Sequence, residues 1–137
     1  ERMKGWGINN RVLYRRAMLR IAEQVARQTD CRALVTGEAV GQVASQTLVN
    51  MNTINRAIDM LVLRPLVGTD KLETIRIAEM IGSYDLSNTQ VPDSCTVFAP
   101  SSPATATPES LAEAEERKIP DYPAVLEKII ADIETIA

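Results

Sequence analysis

The stretch Val35-Thr-Gly-Glu-Ala-Val-Gly-Gln-Val-Ala-Ser-Gln-Thr47 spaces Glu38, Gln42 and Gln46 four residues apart. On a helix that spacing is one face. Carboxamides donate and accept at once, so such a face suits a base or a ribose. Gly37 lets the backbone come close to a ligand. The same pattern also describes an ordinary strand–helix junction with a polar surface stripe, and the residues alone leave both open. Arg15 and Arg16 offer planar donor forks suited to phosphate, or else a solvated helix face. Cys95, in Asp93-Ser-Cys95-Thr-Val-Phe98, lies in a polar context and is the better candidate for a reactive thiol, against a small buried hydrophobe. Cys31 sits in an apolar run and reads as core. Arg64, Asp70 and Lys71 form a polar turn without a defined role, and Asp70 explains itself as a helix N-cap.

Composition removes several chemistries. The chain has 137 residues and no histidine, so it holds no Ser-His-Asp or Cys-His machinery of its own. Two cysteines are too few for a disulfide scaffold or a four-ligand zinc site. The net charge of −3 is not that of a basic nucleic-acid binder, so an RNA contact must be local or come from elsewhere in a larger protein. No apolar run approaches the roughly 18 residues that span a bilayer, and a cytoplasmic location without membrane contact is expected. The start at Glu1 rather than Met suggests a fragment or a processed chain.

These residues need elements to hold them. Residues 1–10 read as a loop or frayed end. Apolar spacing predicts a helix from Arg11 to about Gln28, closed by Thr29-Asp30. Cys31–Thr36 reads as a buried strand. A second helix is expected over Gly41–Met60, a second strand at Leu61–Leu63, and a third helix opened by Thr69-Asp70 and ended at Gly82. The alternation predicts an α/β domain with a parallel sheet. Residues 83–108 read as a long loop with one extended piece at Thr96–Phe98, and the tail carries helical stretches at Pro108–Arg117 and Ala124–Ile136.

Four strings in order, "YRRAMLRIAE", "LVTGEAVGQVASQT", "VLRPLVGTDKLETIRIAEMIGSYDLS" and "DSCTVFAP", cover about Tyr14 to Pro100. Together they resemble the tRNA 4-thiouridine synthetase (tRNA sulfurtransferase) family, which is linked to thiamine biosynthesis. The resemblance implies that residues 11–137 are the C-terminal part of a PP-loop domain. This is a Rossmann-like, three-layer fold of the adenine-nucleotide pyrophosphatase type. It implies nucleotide contacts at Arg15, Gly37 and Gln46, and a sulfur-relay role for Cys95. It also implies ATP with magnesium, tRNA, and a sulfur donor such as a cysteine desulfurase. The implied reaction adenylates C4–O of a tRNA uridine and then replaces it with sulfur, which also feeds thiamine synthesis.

Departures from the family pattern matter. The family's Ser-Gly-Gly-x-Asp-Ser phosphate loop is not present, nor are its RNA-binding and rhodanese modules. The expectation is a chain that is inactive alone. The alternative is a non-catalytic module of the same fold that serves binding or assembly as a homo-oligomer.

Overall fold

The computed structural model describes residues 10–90 and 104–133. Helix α1 spans Asn10–Gln28. Strand β1 (Ala33–Val35) follows, then a 3-10 turn (Ala44–Gln46) and helix α2 (Leu48–Asn55). Strand β2 (Leu61–Leu63) precedes helices α3 (Lys71–Met80) and α4 (Tyr84–Ser87). Helices α5 (Glu109–Glu116) and α6 (Tyr122–Ala131) complete the order. The expected loop at 1–10 falls outside the described residues up to position 9, and α1 already begins at Asn10.

β1 and β2 pair in parallel, with Ala33 opposite Leu61, Leu34 opposite Val62 and Val35 opposite Leu63. The crossover through α2 makes this a βαβ unit, and the chain has the α/β, Rossmann-like class its sequence predicts. Leu34 and Val62 pack against Val12, Leu19, Ile54 and Ile58 from α1 and the α2 region. That cluster is the core. Period-2 alternation turns the flanking strand residues the other way. Val35, Leu61 and Leu63 are therefore exposed, and the expectation that Cys31–Thr36 is a buried strand is corrected for this face. Parallel strands are normally covered on both faces.

Three boundaries also differ from expectation. The loop expected over residues 83–108 opens with helix α4 (Tyr84–Ser87), and its expected extended piece at Thr96–Phe98 lies outside the described residues. The helix expected over Gly41–Met60 is cut to Leu48–Asn55. Gly41 has φ +81, and Val43 is extended, so the chain turns before it can wind. Thr47 then starts the helix as N-cap by accepting from Asn50 N. Cys31, expected in the core, is exposed, because the strand begins two residues later at Ala33. Other punctuation is as expected. Thr29 Oγ1 caps Val25 O, and Asp30 takes φ +56 at the end of α1. Asp70 accepts from Glu73 N at the start of α3.

Candidate functional site

The loops that leave β1 and β2 run side by side. Thr36 N donates to Leu63 O at 3.0 Å, and Val40 N to Val67 O at 3.1 Å. Ligands in open α/β sheets sit at these carboxyl ends of strands. Glu38 lies in the first loop and is buried. Its carboxylate accepts from Arg15 Nη1 on α1 (3.3 Å), from Arg64 Nε just after β2 (2.8 Å) and from Thr36 Oγ1 (3.0 Å). Arg64 is fixed further by Nη2 on Asn55 Oδ1 at 3.1 Å. The cluster carries two guanidinium groups for one carboxylate.

Gln46 closes the same loop, its backbone oxygen accepting from Gly41 N at 2.9 Å. Its side chain is buried, and Oε1 has no hydrogen-bond donor among the described residues. Arg11 Nε, one turn before Arg15 on α1, is likewise buried without a partner among the described residues. A buried acceptor without a donor is costly, about 1–3 kcal/mol. Gly37 is exposed, and a Cβ there would meet nothing within 4 Å. Its φ is not in the left-handed region. Neither conformation nor packing within the described residues requires glycine at 37.

The expected polar stripe of Glu38, Gln42 and Gln46 does not form as one face. The segment between them turns instead of winding, so Glu38 and Gln46 are buried while Gln42 is exposed. Arg15 and Gln46 both serve the post-strand loops, but no hydrogen bond joins them among the described residues. Cys95 lies outside the described residues.

The two adjacent arginines separate cleanly. Arg16 is buried and makes a two-point pair with Glu116 on α5, and its Nη1 donates to Thr53 O. Arg20, one turn on, reaches the same carboxylate at 2.7 and 3.0 Å and donates to Tyr122 OH at 2.9 Å. Burial pushes the Glu116 carboxyl up, but the hydrogen bonds from Arg20 and Arg16 and their charges outweigh it, and the net effect is a lowered pKa. Burial likewise raises the Tyr122 hydroxyl above its ordinary value. Arg16 is thus a structural tie, and Arg15 the arginine at the strand ends. Periodicity alone could not divide them, since the partner of Arg16 is a hundred residues away.

Sequence reasoning also missed a polar ladder on α2. Thr47 Oγ1, Asn50 Nδ2 and Thr53 Oγ1 donate to the carbonyls of Thr105, Ala104 and Thr107, and Thr107 N donates back to Asn50 Oδ1. Asn50 Nδ2 also holds Ala44 O at 2.6 Å. One side chain therefore pins both the turn that carries Gln46 and the segment after residue 103. The spacing of Thr47, Asn50 and Thr53 on one helix face was the available signal.

No described helix is long and apolar enough to cross a membrane. The described residues contain no group of three or more His, Cys, Asp or Glu that could hold a metal ion.

A solved structure described as a 4-thiouridine synthetase–RNA complex with bound ATP is similar to this chain, at 43% identity and a TM-score of 0.83. The match covers 90% of this chain, which spans 32% of that one. Residues 7–120 match the family model described as "Thiamine biosynthesis protein (ThiI)". With that match over most of its length, the chain belongs to the ThiI family.

Proposed function

We propose that this chain supplies part of the nucleotide site of a tRNA 4-thiouridine synthetase, with Arg15, Gly37 and Gln46 as nucleotide contacts. The observation that carries the reading is Gln46. Its buried Oε1 lacks a donor among the described residues, at the carboxyl end of a parallel strand pair. An adenine amino group or a ribose hydroxyl supplies such a donor. Arg15 retains donors beyond the single bond, to Glu38, that it makes among the described residues, and it suits a phosphate oxygen. The open space at Gly37 fits close approach by a ligand. The relative's RNA complex with bound ATP supports the same reading.

ATP is a substrate of the proposed reaction. The C4 oxygen of a tRNA uridine takes the adenylyl group, and pyrophosphate leaves. The outer sulfur of a protein persulfide then attacks C4, and AMP departs with the oxygen. A second thiol attacks the inner sulfur, which releases 4-thiouridine and leaves a disulfide that an external thiol reductant reopens. The tasks of this chain are to bind and orient the nucleotide. Magnesium would arrive on the phosphates, held mainly by water and phosphate oxygens. Cys95 supplies the relay thiol, either bearing the persulfide sulfur itself or resolving the persulfide as the second thiol. A cysteine desulfurase as sulfur donor, a contribution to thiamine synthesis and a cytoplasmic setting belong to the same proposal.

Calorimetry with AMP tests the nucleotide site. The wild-type protein binds AMP, and Gln46→Ala binds at least about tenfold more weakly, one charge-neutral hydrogen bond or more. Equal affinities would remove Gln46 from the site.

A second reading, a non-catalytic assembly module, is favoured by the exposed Val35–Leu61–Leu63 face of the sheet. It predicts no AMP binding together with a tight homo-oligomer in sedimentation.

A further inference from the structure

Glu38 is nine-tenths or more buried, yet it carries a charge that the nucleotide reading does not use. Among the described residues its three donors come from three places in the fold: Arg15 from α1, Thr36 from the end of β1, and Arg64 from the end of β2. They are graded in freedom. Arg64 is 16% exposed and held by Glu38 and Asn55. Arg15 is 28% exposed and keeps one bond, at 3.3 Å, among the described residues. Order therefore runs from Asn55 through Arg64 and Glu38 to Arg15. Fixing a long guanidinium side chain beforehand lowers the entropy lost when it takes a ligand.

We propose that Glu38 and Arg64 form a positioning pair for the phosphate end of the nucleotide. Glu38 holds one edge of the Arg15 guanidinium and leaves its other donors facing outward. Arg64 anchors Glu38 and adds the second positive charge, so the cluster keeps a net charge of +1 for an anion. This rests on the nucleotide reading and extends it to residues that reading leaves idle. The contrary role, a carboxylate that occupies the anion's own place and must be displaced, disagrees with the burial of Glu38 and its three bonds. The freer partner is the arginine.

Calorimetry with AMP and with adenosine on the protein separates the two ends of the ligand. Glu38→Gln is expected to weaken AMP by about tenfold, roughly one charge-assisted hydrogen bond. Adenosine affinity stays unchanged, which a loss of fold would not allow. In an Arg15→Gln background the same substitution adds nothing, because Glu38 acts through Arg15. Arg64→Lys keeps the charge and leaves Glu38 partnered, so it reads the pair even if Glu38→Gln does not fold. It is expected to weaken AMP in the same direction and spare adenosine. Unchanged or tighter AMP binding in both variants, or adenosine falling in step with AMP, overturns the inference. A wild-type protein that binds neither ligand overturns the nucleotide reading and this inference with it. Wild-type binding with the variants unaffected overturns this one alone.

Discussion

Arg16 and Glu116, a hundred residues apart, meet in a buried two-point pair, with Nε on Oε1 at 2.8 Å and Nη2 on Oε2 at 3.2 Å. Arg20 shares the carboxylate from one turn away on the same helix. Helices α5 and α6 are thereby tied to α1, and α1 is the element that carries Arg15.

Removing the carboxylate leaves a buried guanidinium unpaired. Glu116→Ala is expected to cost about 3–5 kcal/mol, the range for breaking one partner of a buried pair. Urea unfolding measures it. A loss under about 1 kcal/mol would mean that the pair is solvated in solution, as surface pairs are.

The same carboxylate sets an acid limit. Its pKa is lowered in the folded protein, because two arginines outweigh burial, from an ordinary value of 4.5. A group depressed on folding contributes stability that is fully present above its unfolded value. That contribution fades as pH falls below about 4.5 toward the folded pKa. Urea midpoints between pH 6 and pH 3 should therefore drop, and Glu116→Gln should drop less steeply, though from a lower start. Parallel slopes would assign the acid sensitivity to other carboxylates.

Asn50 is fully buried and partners three backbone groups, at Ala44, Ala104 and Thr107. Each buried group left unpaired costs about 1–3 kcal/mol. Asn50→Ala is expected to destabilise by about 3 kcal/mol or more. Hydrogen exchange should show the Thr107 amide losing protection first. Retained protection there would place its anchor elsewhere.

Cys31 is exposed, so accessibility does not single out Cys95 as the relay thiol. Both cysteines are expected to react with iodoacetamide, so labelling alone does not identify a relay thiol. Activity does. In a complete 4-thiouridine synthetase that carries this segment, Cys95→Ser is expected to abolish sulfur transfer to tRNA, while Cys31→Ser leaves it near wild type. Loss in the Cys31 variant with retention in the Cys95 variant would reverse the assignment.

The sequence by itself determined whatever is local. Apolar spacing marked α1 and the tail helices, because core burial imposes the 3.6-residue period, and the short apolar run Leu61–Leu63 marked β2. Asp70 and Gly82 marked the ends of α3 through capping and a positive φ. The four ordered strings marked the family. Tertiary structure decided the rest. The expected helix over Gly41–Met60 fails at Gly41 and Val43, where turn geometry and the anchor on Asn50 outweigh a run of good apolar spacing. The apolar run Cys31–Thr36 predicts burial for Cys31 and Val35, but Cys31 precedes the strand and Val35 lies on the sheet face that has no neighbour among the described residues. Arg15 and Arg16 are chemically identical and adjacent. Only the positions of Glu38 and Glu116, 23 and 100 residues away, send one to the strand ends and the other into the core. Charge pairing across such separations has no period along the chain, so no spacing rule could have announced it.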